Sequence, residues 1–503
     1  MADHDAHDRQ PGIARSVVWS YVGYAADIVA GILLLGYVVR RVPPAEYGLL
    51  SLAGALSMLL YLLDLGLFNI LVQKYVEIME AQDKDKLEAL LSTTLFGLAG
   101  LGSIGMGIFL AVAFCLPGPF KIPPEYLKET RVVFILMGVV VQIGLPTTAL
   151  EQLYQAFRRF DRINQIQLLT AAIRVAFTIL ILTTGHGIVA LAGLQVLMAI
   201  ARIVMLWLFL PSSGIGIQLK LMFDWNLLKP LLRSGGWAWA ENISRQLATV
   251  SDLAILGMFS SMNAVAMFGV GSKLPMHVSS AVSRGALVVL PALSRRQQRT
   301  SELQRIYTQT LALVLGGVLP IVVLGCVCAR PLIRVWAGDA YLGAAPVMQW
   351  LLLAALSLAI EHPSDLLLYG RGHVKIAARI AIFESFTNIV VSLLLVSRYG
   401  AAGLAAGTAL THLLINAFWY TPAACRAARL SPRMLISAAL HRLGWPSLLL
   451  ILGIVFVRLL LLFGFAPQVV VMAGVASGLA YVAVWGFRIV MPLLRTPMMQ
   501  SID

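Results

Sequence analysis

The stretch GIVALAGLQVLMAIARIVMLWLFL, residues 187–210, holds a single charged residue, Arg202, in a run long enough to cross a bilayer. A helix rises 1.5 Å per residue and needs about 20 apolar residues to span ~30 Å of hydrocarbon. Outward from this run the pattern repeats along the chain. Further apolar runs, bounded by charge, Pro or Gly, fall at 17–39, 48–72, 90–116, 131–150, 165–185, 230–258 and 263–291. Others follow at 306–328, 344–369, 375–397, 400–421, 444–464 and 468–490, which makes fourteen in all. Barrel strands would alternate in segments of ~10 residues, about half the length seen. Of 503 residues 59% are hydrophobic and only 12% charged, against roughly a quarter charged in an ordinary globular protein. Mean hydropathy is +0.84. A soluble enzyme is therefore excluded, and the expected fold is all-α: a polytopic integral membrane protein of about fourteen transmembrane helices.

Loop charge sets the orientation. With the N-terminus in the cytoplasm, cytoplasmic segments hold 24 Lys and Arg, the opposite loops hold 8, and 6 lie within spans. Basic residues concentrate on the cytoplasmic side of membrane proteins, so both termini are expected there. The formal charge of +14 is then an orientation signal, and nucleic acid is not an expected partner. No outer loop exceeds about twenty residues, which leaves no room for an outer domain. The N-terminal MADHDAHDRQPG is polar, and the run beginning near Ser16 lacks a small-residue cleavage site, so it reads as a retained span. Cys115, Cys326, Cys328 and Cys425 form no CxxC pair, and neither a disulfide framework nor a zinc site is expected.

The expected layout is a cytoplasmic tail over 1–16, a six-helix bundle over 17–210 and a cytoplasmic linker over 211–229. A second six-helix bundle follows over 230–421, then a cytoplasmic basic loop over 422–443. Helices thirteen and fourteen occupy 444–490, and a tail closes the chain over 491–503. A weak internal repeat supports two bundles. A shift of 213 residues sets Leu153 on Leu366, Arg158 on Arg371, Arg162 on Lys375, Gly187 on Gly400, Leu191 on Leu404 and Ala192 on Ala405. Apolar matches are cheap in membrane sequence, and chance similarity of hydrophobic helices is the competing explanation. Matching glycine turns and basic loops at one offset favour duplication, an architecture common in transporters.

Four segments carry a resemblance. VPPAEYGLLSLAGALSMLLYLLDLGLFNILVQKYVE (42–77) resembles the second span of bacterial polysaccharide exporters. SDLAILGMFSSMNAVAMFGVGSKL (251–274), LPALSRR (290–296) and LIRVWAGDAYLGAAPVMQWL (332–351) are similar to the same family in order and spacing. These exporters are the Wzx-like lipid-linked oligosaccharide flippases of the superfamily that also holds multidrug extruders and the lipid II flippase. The resemblance implies two six-helix bundles packed as a V around a central cavity, in the manner of the extruders, plus two C-terminal helices. It implies a bacterial inner-membrane protein that moves an undecaprenyl-diphosphate-linked glycan to the outer leaflet by alternating access. The coupling ion would be H⁺ or Na⁺, and the polysaccharide polymerase or export machinery a partner.

Ionisable residues within spans are costly against lipid and by default face the bundle interior or water. The basic ones are Arg174, Arg202, Arg245, Lys273, Arg284 and Arg458. In the seventh span Glu241, Arg245 and Asp252 fall within about 40° of one another on a helix. That is either a polar stripe offering Arg245 to a diphosphate or a self-neutralising pair that locks helices together. Asp252 reads as structural. In the eighth span Lys273 and Arg284 share a face, ~16 Å apart along the axis. Arginine suits phosphate, although Arg284 is also placed to snorkel to headgroups. Arg174 lies mid-span, and Arg202 nearer the cytoplasm. Candidate substrate-binding residues are thus Arg174, Arg202, Arg245, Lys273 and Arg284.

Candidate ion-coupling residues are Asp27, mid-span in the first run, with Glu241, Glu361 and Asp365. Cation-coupled extruders place acids on their seventh and tenth spans, which Glu241 and Glu361 match by span. Each acid has a plain alternative as a polar anchor between helices, and Asp64 in LLDLGL reads as structural. Pro363 and Gly235–Gly236 are candidate bending points, and 294–307 (SRRQQRTSELQRIY) a basic loop able to attract anionic lipid. A drug antiporter would want an acidic or aromatic cavity, which the deep cations oppose. A lipid II flippase shares the carrier chemistry and is the nearer rival. A membrane glycosyltransferase or polymerase would need larger outer loops. No nucleotide loop, metal cluster or nucleophile triad occurs, so no catalytic residue, metal or cofactor is expected.

Overall fold

A computed structural model describes residues 28, 30–115, 120–213, 215, 217, 222–232, 251–287 and 300–490. The chain divides into two compact units, Met1–Val250 and Ser251–Asp503, and among the described residues every regular element is helical.

The first unit holds α1 (Pro44–Leu60), α2 (Leu67–Glu80), α3 (Lys84–Cys115), α4 (Leu127–Ala156), α5 (Phe160–Thr183) and α6 (Ile188–Phe209). The apolar run 48–72, expected as one span, is broken between α1 and α2. A 3₁₀ turn at Tyr61–Asp64 leads into Leu65 and Gly66, both with positive φ. The Asp64 side chain closes this break, accepting a hydrogen bond from the Gly66 N–H at 3.1 Å. An aspartate that satisfies backbone two residues on is a local turn device, and the structural reading of Asp64 holds. Buried hydroxyls tie the helices together. Tyr154 Oη donates to the Leu206 carbonyl at 2.7 Å, linking α4 to α6, and Tyr75 Oη meets Thr94 Oγ1 at 3.2 Å between α2 and α3.

The second unit runs α7 (Met262–Gly271), α8 (Lys273–Leu287), α9 (Thr300–Val327), α10 (Ala329–Trp336) and α11 (Ala344–Gly370). It continues with α12 (Val374–Ile415), α13 (Thr421–Ala428), α14 (Pro432–Leu462) and α15 (Pro467–Trp485). Helices start well before the apolar runs: α9 takes in Glu302 and Arg305, and α14 takes in Arg433 and Arg442. Hydropathy marks the membrane-embedded part of a helix, not its ends, so much of the expected loops at 294–307 and 422–443 is helix. Proline at the first turn of α13, α14 and α15 fits where its missing N–H costs nothing. Inside α11, Pro363 removes the donor for the Ala359 carbonyl, yet Ala344–Gly370 runs on as one helix.

Helix α12 is two arms folded on each other at Gly400 (φ 55°, ψ −135°). A side chain there would clash with its own backbone. The arms then approach so closely that a Cβ on Gly403 would sit 2.4 Å from the Leu395 carbonyl oxygen. Immediately after the second arm, Asn416–Tyr420 forms a π-helical turn.

Shifted by 213 residues, α3 falls on 297–328 and α4 on 340–369, the positions of α9 and α11. Likewise α5 falls on 373–396 and α6 on 401–422, the two arms of α12 and the π turn beyond it. The repeat read from scattered glycines and arginines is thus a repeat of helix boundaries. Nine helices among the described residues are long and apolar enough to cross a membrane, one of them the folded Lys375–Ala428. Shorter apolar helices lie at Ala30–Val39, Met262–Gly271 and Pro446–Leu462.

Candidate functional site

Among the described residues of the second unit, a dense polar grouping lies where α11 meets the two arms of α12. Glu361 projects from α11, Glu384 from the first arm and His412 from the second. His412 Nδ1 lies 2.7 Å from Glu384 Oε1 and 3.8 Å from Glu361 Oε2. Both acids are buried, and one potential ligand atom from each of the three residues falls within 4.8 Å of the others. The backbone of His412 is fixed from α11, since Ser357 Oγ donates to its carbonyl at 2.9 Å. Asn416, at the start of the π turn, donates Nδ2 to the Ser357 carbonyl at 2.8 Å. Helical irregularities of this kind recur at functional sites; here one seats the residues beside His412.

Around this triad other buried polar groups lack partners. Both side-chain atoms of Asn388, Ser392 Oγ, Thr411 Oγ1 and Asp252 Oδ1 make no hydrogen bond among the described residues. The other Asp252 oxygen accepts from Thr408 Oγ1 at 3.4 Å, one turn from His412. Buried polar atoms are otherwise nearly always satisfied. The three-residue centre brings two carboxylates and an imidazole within reach of a single cation or proton. Histidine titrates nearest neutrality of all side chains.

At the matching positions of the first unit, 213 residues back, stand Thr148, Ala171 and Ala199. The duplication kept the scaffold, and in these two copies only the second bears the acid–histidine cluster. The first unit has its own ion pair elsewhere, Arg202 Nε to Glu151 Oε1 at 2.5 Å, joining α6 to α4. Arg202 is therefore neutralised within its own unit. Residues in direct contact couple energetically, so a double-mutant cycle of Glu151→Ala and Arg202→Ala should give a coupling of about 1 kcal/mol. Thermal unfolding of the purified protein measures it.

The other expected site residues fall apart from the triad. Asp365, one turn beyond Glu361, accepts from Tyr420 Oη at 2.7 Å and sits among the packed apolar residues of α9, α11 and α13. His362 Nε2 meets Ser283 Oγ at 2.9 Å, tying α11 to α8. Arg174 is half-buried on α5, Lys273 is half-buried at the first turn of α8, and Arg284 lies on the same helix. Asp27, Glu241, Arg245 and Gly235–Gly236 lie outside the described residues. Sequence reading found Glu361 and missed His412 and its use of Glu384. The signal was there: a histidine within the apolar run 400–421 is as exceptional as an acid.

A duplicated all-helical fold with nine described helices long and apolar enough to cross a membrane defines a class, the multi-pass membrane proteins. The family described as polysaccharide biosynthesis protein matches residues 38–346, and the chain belongs to that family. Over 396 residues it is 21% identical to a candidate O-antigen transporter of Shigella flexneri, covering 78% of this chain and 93% of that one. An uncharacterised membrane protein of the cps region of Klebsiella pneumoniae is 22% identical over 390 residues, covering 75% and 74%. Among solved structures, the lipid II flippase MurJ in an inward closed conformation superposes with a TM-score of 0.71 at 13% identity, covering 95% of this chain and all of that one. An inward-facing MATE family multidrug transporter of the MOP superfamily gives 0.66 at 14% identity, covering 83% and 99%. The all-α fold expected from hydropathy is thus the fold of the MurJ and MATE structures.

Proposed function

We propose that this protein flips an undecaprenyl-diphosphate-linked oligosaccharide from the cytoplasmic to the outer leaflet by alternating access. In this reading it sits in the bacterial inner membrane with both termini in the cytoplasm and hands its cargo to the polysaccharide polymerase or export machinery. Arg174, Arg202, Arg245, Lys273 and Arg284 are the cations available to the diphosphate, with Arg202 the weakest member because Glu151 holds it. The observation that carries an ion-driven mechanism is the buried Glu361–Glu384–His412 cluster. Asp27, Glu241 and Asp365 are secondary coupling candidates. A proton is favoured over Na⁺ because one of the three groups is an imidazole, a proton carrier, whereas hard cations take oxygen ligands.

A deletion strain provides the test. The complete undecaprenyl-linked repeat unit should accumulate while surface polysaccharide disappears, and the wild-type gene should restore both. An unchanged glycan pool with altered drug retention would assign the chain to the extruders, and accumulation of lipid II would assign it to the peptidoglycan branch. Arg174→Gln, Arg245→Gln and Lys273→Gln should each lower flipping about tenfold at normal abundance, the scale of one lost charge-assisted hydrogen bond. Full transport in all three would refute the cationic contacts.

A further inference from the structure

In the second unit, a cavity of about 730 Å³ lies between α10, the start of α11 and the turn joining α14 to α15. Its walls include Arg330, Arg334, Gly343, Phe465 and Pro467. One edge is the connection between α9 and α11, both long and apolar enough to cross a membrane. The other is the turn that leads into α15, a third such helix, which places the cavity at a membrane boundary. Loop charge assigns that boundary to the outer side, where only 8 Lys and Arg stand against 24 on the cytoplasmic side. Two of those eight line this one cavity, a helical turn apart on α10.

Arg334 is partly neutralised, its Nε lying 2.6 Å from Asp339 Oδ1. Arg330 has no acidic partner among the described residues, so the cavity keeps a net positive charge. Two long helices also begin at its wall. Gly343 is the N-cap of α11 and Ala466 that of α15, and neither offers a side-chain acceptor to the first turn. Helix N-termini add positive potential, here alongside the guanidinium groups. The lining also includes apolar Leu342, Leu461 and Val470. Its rim continues into Leu462 and Phe463, 81% and 77% exposed at the α14–α15 turn.

A site that combines two guanidinium groups with an apolar lining and an exposed apolar rim suits an amphiphile with an anionic head. We propose that this cavity binds the phosphate headgroup of an outer-leaflet glycerophospholipid, with Arg330 and Arg334 on the phosphate and the acyl chains along α14–α15. Such a lipid would brace the C-terminal hairpin against α10. Phospholipid is preferred over the transported lipid diphosphate because the cavity lies within one unit and opens on the exposed apolar faces of α14 and α15, where bulk lipid is the neighbour.

Native mass spectrometry of the purified full chain, titrated with phosphatidylglycerol, phosphatidylcholine or undecaprenyl diphosphate, tests this. One tightly held phosphatidylglycerol is expected, lost at least tenfold in the Arg330→Gln/Arg334→Gln double variant and largely kept in Arg330→Lys/Arg334→Lys. The lysine pair also guards against misfolding, since it preserves charge and bulk. Equal phosphatidylglycerol retention by the wild type and the glutamine pair would overturn the proposal. So would a tenfold preference for undecaprenyl diphosphate, which would make the cavity a station for cargo. Neither result bears on whether the protein flips a lipid-linked glycan, which the deletion strain decides separately.

Discussion

Replacing His412 with alanine is expected to abolish gradient-driven flipping and to deplete the folded protein. Glu384 would lose the imidazole 2.7 Å from its carboxylate, leaving two buried acids with no cation between them. Removing one partner of a buried ion pair typically costs about 3–5 kcal/mol, equivalent to two to four orders of magnitude in an equilibrium constant. Stability and coupling separate in the double variant Glu384→Gln/His412→Ala. With only Glu361 left to ionise, abundance should recover, while transport driven by a proton gradient stays at least about 100-fold below wild type. Proteoliposomes carrying labelled lipid-linked glycan, with and without an imposed pH difference, provide the readout. Wild-type rates with intact gradient dependence in His412→Ala would remove the cluster from the coupling mechanism.

The second large effect is expected at Gly403. Any side chain there begins with a Cβ 2.4 Å from the Leu395 carbonyl oxygen and 2.7 Å from the Tyr399 Cβ, and backbone leaves little room to yield. Overpacking costs about 1–3 kcal/mol where the core can shift, and valine should reach or exceed the upper figure here. Prying the arms of α12 apart would also move His412, on the second arm, away from Glu384 on the first. Gly403→Val should therefore lose thermal stability and transport together, as read by melting in detergent and by surface polysaccharide. Gly107→Ala is the control. It sits in α3 with nothing within 4 Å of the added carbon, and helix propensity predicts a gain of up to ~1 kcal/mol. Gly403→Val melting like wild type would mean that the arms of α12 separate freely.

Much of this fold was legible because hydropathy is a strong signal for burial in lipid. The run at 187–210 became α6, a helix over Ile188–Phe209, and the 213-residue repeat became matched helix ends. Hydropathy has no term for where a helix stops outside the bilayer, so α9 and α14 begin earlier than the apolar runs. Nor does it detect a break made of apolar residues, such as Leu65–Gly66 between α1 and α2. The site was half legible. Glu361 stood out as a charge in a span, but its partners come from segments 23 and 51 residues further on, brought together by the fold at Gly400. Asp365 and Arg202 stood out equally and proved to be held by Tyr420 and Glu151. A sequence shows which charges are expensive, and only the packing shows which already have a partner.

The uneven endowment of the two copies carries an energetic corollary. With one acid–histidine centre among the described residues and a blank counterpart at Thr148, Ala171 and Ala199, a carrier of the kind proposed that couples through this centre alone has a single loading point per turnover. One elementary charge falling through 100 mV releases about 2.3 kcal/mol, enough to hold a concentration ratio of roughly fifty between leaflets. Such a machine works as a low gear. It moves a bulky cargo reliably against a modest back-pressure and stalls once the downstream enzymes stop drawing product away. Throughput would then be governed by demand at the outer face, with no separate regulator required.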